Sequence, residues 1–252
     1  MEEQEKSLSR RQKVKRVLTP VVFFVLIPLL LALGVWAFGD RSYNLIAAAV
    51  ALLACVPFFV SFERRQKTSR EIMVIAVMTG ISVLGRFVFA PLPGFKPVTA
   101  VVIIAAISLG GEAGFIIGAL SAIVSNIYFG QGPWTPFQMF SWGALGFLAG
   151  LAAKITVPDK EGGRISVMEK RWALIVAGIV GGALYSMLMD VWTVLAAEGT
   201  FGLPRYWAAV AAALPWVIVY AASNIVFLLL LTKPFVKKLE RIKIKYEIFT
   251  IK

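Results

Sequence analysis

The stretch NIYFGQGPWTPFQMFSWGALGFLAG, Asn126 to Gly150, decides how this chain is read. It leaves the polar end of one apolar run, crosses a turn built of Gly, Pro and Trp, and enters a second run. There Gly143, Gly146 and Gly150 leave one helical face bare. The turn therefore joins two membrane helices. Pro133 and Pro136 stiffen it, because proline fixes its own φ and restricts the residue before it. Gly130 and Gly132 open backbone conformations closed to other residues. Asn126, Gln131, Trp134, Gln138 and Trp142 thus present hydrogen-bonding and aromatic groups from a shaped loop, as a binding mouth does. The competing reading is an ordered connector whose aromatics anchor at the lipid interface. The concentration of uncharged donors beside Trp, between two close-packing helices, favours a ligand site.

Composition sets the surroundings of that loop. Of the 252 residues, 59% are hydrophobic and only 16% charged, and the mean hydropathy is +0.79. Successive apolar runs approach or exceed the roughly 20 residues needed to cross a hydrocarbon core of about 30 Å. The fold class is all-α, a polytopic membrane protein. The net charge of +12 would suit a nucleic-acid partner, but the basic residues cluster at the ends of the apolar runs, where the positive-inside rule accounts for them. No nucleic acid is expected. The single cysteine, Cys55, cannot form an intramolecular disulfide, and there is no histidine. That removes His-based triads and the zinc-protease HExxH pattern. No Walker GxxxxGK[ST] motif, metal cluster or nucleophile elbow occurs. We expect no enzyme, no catalytic residues, no metal and no cofactor, and any uphill transport would draw its energy from elsewhere.

In chain order, residues 1–16 form a basic tail. Residues 17–67 hold two apolar runs, Val17 to Phe38 and Tyr43 to Phe62, read as a transmembrane hairpin that stays attached. Its first run is longer than a signal-peptide core and no small-residue cleavage pattern follows. Residues 68–233 differ in character, being rich in Gly, Ala, Ser and polar groups, and carry six further runs: Glu71 to Ala90, Pro97 to Leu109, Ala113 to Phe129, Phe137 to Ala153, Trp172 to Ala197 and Trp207 to Leu231. Residues 234–252 are a second basic tail. The run at Pro97 is short for a span, since thirteen residues of helix rise only about 20 Å. The charges favour two crossings there. All Lys and Arg except Arg41, Arg86, Lys96 and Arg205 then fall on one side, the cytoplasm by the positive-inside rule, with both termini.

Several constellations remain. Gly110, Gly114 and Gly118 recur every four residues, and Ser121, Ala122 and Ser125 continue the small face, which reads as internal helix packing. Ala76 and Gly80 form a shorter version, for which docking to a partner subunit competes. Asp190 is the one acid well inside an apolar run, and such carboxylates are paired or functional. Pairing with Arg86 and direct ligand contact stand equal here. Lys96, in the PLPGFKP turn, and Arg205, Tyr206 and Trp207, at the start of the last run, face the same side as the Trp134 loop. Three connections converge on one mouth.

The strings PLPGFKPVTAVVIIAAISLGGEAGFIIGALSAIVSN and FGQGPWTPFQMFSWGALGFLAG resemble the substrate-binding S component of energy-coupling factor (ECF) vitamin transporters, in particular the branch assigned to cobalamin. The resemblance covers about residues 68–233. It implies a six-helix bundle, here preceded by the hairpin, in a prokaryotic plasma membrane. Such a subunit binds a vitamin at the outer face, docks on a transmembrane coupling subunit with two cytoplasmic ATPases, and topples to release the vitamin inside. Riboflavin, folate or a similar vitamin is the alternative ligand, and a membrane enzyme acting on lipid or peptide the more distant one. In that family small residues on the first core helix dock the coupling subunit. Ala76 and Gly80 stand at the matching place, with Gly for the second Ala. Arg86, Lys96, Asn126, Gln131, Trp134, Gln138, Trp142, Asp190 and Tyr206 are the candidate substrate contacts.

Overall fold

A computed structural model describes residues 43–63, 68–158 and 164–249. The first basic tail and the Val17 to Phe38 run lie outside the described residues. Eight α-helices are described: α1 (Tyr43–Glu63), α2 (Ser69–Val88), α3 (Val98–Leu109), α4 (Gly111–Phe129), α5 (Thr135–Ala152), α6 (Arg171–Glu198), α7 (Leu203–Ala212) and α8 (Leu214–Tyr246). A small antiparallel hairpin, β1 (Thr156–Pro158) with β2 (Arg164–Ser166), joins α5 to α6. Among the described residues four helices, α2, α4, α6 and α8, are long and apolar enough to cross a membrane. With α3 and α5 they make the six-helix bundle. The protein is a polytopic helical membrane protein.

The bundle is centred on α3, α4 and α5. Eleven of the twelve α3 residues are buried, so this helix is sheathed in protein. That resolves its shortness, because a helix that touches no lipid need not match the hydrocarbon thickness. Gly110, at φ 92°, ends α3 and turns the chain straight into α4; the left-handed backbone there is open to glycine at little cost. The expected glycine face packs internally. A Cβ on Gly118 would sit 2.5 Å from the Trp142 carbonyl carbon, and one on Gly146 2.5 Å from the Gly114 carbonyl carbon. The backbones of α4 and α5 are in contact, which only small residues permit.

The outer helices pack on this centre. A capping box starts α2: the Glu71 amide donates to the Thr68 hydroxyl and the Thr68 amide to Glu71 Oε2. Glu71 Oε1 accepts from the Phe249 amide at 2.8 Å, so one carboxylate also ties down the end of the described chain. The α1 helix is fastened by Phe58, whose ring stacks on fully buried Phe115 at 3.9 Å between centroids. The second helix of the expected hairpin is thus part of the main core.

Two differences from the sequence reading concern the last helix. The expected run from Trp207 to Leu231 is two helices, α7 and α8, parted at Ala213. Pro215 sits in the first turn of α8, where its missing N–H costs nothing, but it could not continue α7. Beyond the core boundary expected at residue 233, α8 runs on without a stop, through Pro234, to Tyr246. At 1.5 Å per residue it is about 50 Å long, well over the hydrocarbon thickness. Leu239 and Ile248 are buried, and the Arg70 guanidinium lies 5.3 Å from the Tyr246 ring centroid. This extension is held against the rest of the protein.

The glycine contacts give a paired stability test. Ala at either site gains helix propensity of roughly 1 kcal/mol, but at Gly118 its methyl must force apart two backbones, an overpacking cost of about 1–3 kcal/mol. Nothing lies within 4 Å of a Cβ on Gly80. In thermal unfolding of detergent-purified protein, Gly118→Ala should lower the midpoint while Gly80→Ala leaves it unchanged or slightly raised.

Candidate ligand-binding site

The helices alternate in direction, so one end of the bundle gathers the α2–α3, α4–α5 and α6–α7 connections with the start of α8. A network of polar side chains forms there. Arg86, in the last turn of α2, donates from one guanidinium nitrogen to Ser125 Oγ and to Asn126 Oδ1, the latter at 2.8 Å. Asn126 Nδ2 donates onward to Thr135 Oγ1 at 2.9 Å and to Gln138 Oε1 at 2.7 Å. Thr135 donates to Gln131 Oε1 and Gln131 Nε2 to the Ile123 carbonyl. One directional chain thus locks α2, α4, the connecting loop and α5 together. Asn126 is only 1% exposed, and its amide is fully used, as a buried polar group must be.

Aromatic rings wall this network. The Arg86 guanidinium lies 4.5 Å from the Phe129 ring centroid and 5.2 Å from that of Trp142. Trp142 stacks on Tyr185 of α6 at 5.4 Å and 9°, and Tyr185 meets Tyr220 of α8 edge-on at 5.5 Å. Gln138 lies within hydrogen-bonding reach of Tyr185. Lys96 Nζ also stands 5.3 Å from the Phe129 centroid. Its ammonium is held below the ordinary lysine range, by burial first and then by the charge of Arg86. Two cations therefore sit close together, and among the described residues no carboxylate is paired to either.

The α2–α3 loop is built against α8 to deliver Lys96. Gly94, at φ +74°, turns where a Cβ would press on Val219, Tyr220 and Trp216. The Ser223 hydroxyl donates to the Lys96 carbonyl at 3.0 Å, and the Phe95 ring packs on Phe227. The PLPGFKP turn is a folded element of the site.

The structure divides the nine candidate contacts. Arg86, Asn126, Gln138 and Trp142 form the centre, with Lys96 at its edge. Gln131 is exposed and spends both ends of its amide within the protein, donating to the Ile123 carbonyl of α4 and accepting from Thr135 at the start of α5. Trp134 covers Gly132 and packs on Trp192, so it shapes the loop and stands apart from the cation cluster. Asp190 does not pair with Arg86. It is 6% exposed, receives a long 3.5 Å hydrogen bond from Ser186, and forms no ion pair with a described residue. It lies instead within electrostatic reach of Tyr206 and Tyr220. The Tyr206 hydroxyl donates to the Met187 carbonyl at 3.1 Å, and its phenol is pushed above its ordinary range by burial and then by Asp190. Ser125, Thr135, Phe129, Tyr185 and Tyr220 were missed as site residues. An amide-and-Trp loop is visible in sequence, whereas Tyr185 and Tyr220 come from helices far along the chain and look like ordinary apolar-run residues.

A separate apolar groove of about 600 Å³ runs along α1 from Ala49 to Val60, with Met139 opposite. It offers no polar partner and is distinct from the cation cluster.

A model of the family described as ECF-type riboflavin transporter, S component, matches residues 66–241. The chain belongs to this family. No curated protein and no solved structure matches it. The protein is therefore an S component of an ECF vitamin transporter, a multi-pass membrane subunit that works with an ECF module and not an enzyme. The matched segment begins at the start of the six-helix bundle and leaves out α1 and what precedes it. In this S component the cation cluster, the amide pair and the stacked rings all lie inside the matched segment.

The network makes Asn126 the most sensitive single position in the site. Asn126→Leu leaves the Arg86 charge without its amide acceptor and Gln138 without its donor, at about 1–3 kcal/mol for each orphaned group. Its unfolding midpoint should fall by several degrees, whereas Gln131→Ala, at an exposed loop position, should move it far less.

Proposed function

We propose that this S component binds riboflavin, or a vitamin with the same kind of flat, amide-edged ring, in the cluster around Trp142. The observation that carries the reading is the juxtaposition of a stacked Trp142–Tyr185 pair with two neighbouring cations, Arg86 and Lys96, and the Asn126–Gln138 amides. A planar heterocycle extends an aromatic stack. Its carbonyl and ring-nitrogen edge accepts hydrogen bonds from Arg86 and Lys96, while an imide N–H finds an acceptor in a carboxamide. The description of the family names the same vitamin. Cobalamin, the ligand implied by the loop strings, is far larger and would require the buried Asn126, Gln138 and Trp142 side chains to move apart together.

The basic residues favour an orientation with the site outside and the β-hairpin end, with its Lys and Arg, in the cytoplasm. Docking on the coupling subunit is assigned to the outer face of α2. Ala76 is exposed there, Gly80 has open space above it, and Ile72, Met73, Val77 and Leu84 flank them as exposed apolar residues. The ATPases of the module supply the energy.

Titration of purified protein with riboflavin, followed by quenching of the flavin fluorescence, should show saturable binding without ATP. Trp142→Ala and Arg86→Gln should each weaken it by at least about tenfold, as expected for loss of a stacking or charge-assisted contact. Saturable binding of cobalamin with none of riboflavin would overturn this reading. Independently, Ala76→Trp should abolish co-purification with the coupling subunit while riboflavin binding persists.

A further inference from the structure

Asp190 lies at this end of the bundle and takes no part in the ring site. It is buried, it has no cationic partner among the described residues, and it stands across the Tyr185–Tyr220 contact from Arg86. A carboxylate in such a place is costly unless hydrogen bonds satisfy it, and the long bond from Ser186 meets only part of that need. The site thus has two unlike poles. Arg86 and Lys96 supply positive charge at one side of the aromatic pair, and Asp190, with Tyr206 and Tyr220 nearby, supplies an acceptor at the other.

We propose that Asp190 is a specificity residue that receives the hydroxylated side chain of the vitamin and excludes its phosphate ester. The proposal rests on the riboflavin reading. With the C4 carbonyl and N5 edge of the ring held by Arg86 and Gln138, the polyol tail, which leaves N10 on the opposite long edge of the ring system, extends toward Asp190. Hydroxyl groups donate to a carboxylate and satisfy it. A phosphate monoester carries up to two negative charges and no donor at neutral pH, so it would meet a like charge in a poorly solvated setting. Entry of the ester would then require Asp190 to take up a proton or turn away. The cations at the other pole do not relieve this, because they face the ring edge.

The test is binding of riboflavin, riboflavin 5′-phosphate and the tailless ring lumichrome to wild type, Asp190→Asn and Asp190→Glu. Wild type should prefer riboflavin over the ester by about 100-fold, the size of a like-charge penalty within a binding site, and the ester should bind no better than lumichrome. Asp190→Asn keeps an acceptor oxygen but removes the charge, so the preference should shrink at least tenfold, chiefly through tighter binding of the ester. Asp190→Glu should retain the preference. An unchanged ratio in Asp190→Asn overturns the proposal, as does a wild type that binds both flavins equally. If the Asn variant does not fold, the wild-type comparison of ester with lumichrome decides alone. An ester whose binding is untouched by Asp190→Asn but lost in Lys96→Gln would place the phosphate at the cationic pole and also overturn it. Failure of wild type to bind any flavin would instead remove the riboflavin reading itself, and this proposal with it.

Discussion

The close approach of α4 to α5 is the constraint on which the rest depends. Without side chains at Gly114, Gly118 and Gly146, the two backbones touch along their length, where van der Waals packing, not water, drives association. That contact sets the spacing at the loop end. Asn126 and Gln138 come to lie 2.7 Å apart there, and a bulkier seam would separate them beyond hydrogen-bonding distance. The same seam buries α3 behind it and leaves Phe115 facing α1, where Phe58 covers it. Packing in the apolar half of the molecule thus dictates the geometry of the polar half.

The site itself is organised by charges that the described residues do not pair with one another. Membrane proteins seldom keep ionisable groups in the apolar region without a partner. Here Arg86 is satisfied by neutral oxygens and aromatic faces, Lys96 sits beside it, and Asp190 stays apart. A direct Arg86–Asp190 ion pair would have closed the cluster on itself. Keeping the two poles apart, with Trp142, Tyr185 and Tyr220 between them, leaves each able to interact with something else.

The helical extension of α8 and the carboxylate of Glu71 tie the opposite end together. Glu71 serves both the α2 capping box and the Phe249 amide, so the start of the proposed docking helix and the end of the described chain share one acceptor. Movement of α2 relative to the bundle would be felt at this joint.

Much of the fold was legible in the sequence because bilayer thickness imposes a length on apolar runs, and because backbone polar groups in lipid must be satisfied within helices. The starts and ends of α2, α4, α5 and α6 follow local signals: Thr68 with Glu71, the Gly110–Gly111 break, the Pro133–Pro136 turn and Gly199. The α7–α8 break at Ala213 was readable in principle from Pro215 but was hidden in an unbroken apolar run. Of the residues that cluster at this end, the sequence by itself singled out Asn126, Gln138, Trp142, Arg86 and Lys96 as candidates, since polar residues stand out in apolar runs. Only the tertiary structure decided that Arg86 pairs with Asn126 and leaves Asp190 to Ser186, and that Tyr185 and Tyr220 lie between the two poles. Those relations depend on the rotation and depth of helices distant in sequence, which side-chain packing sets and helix periodicity alone does not.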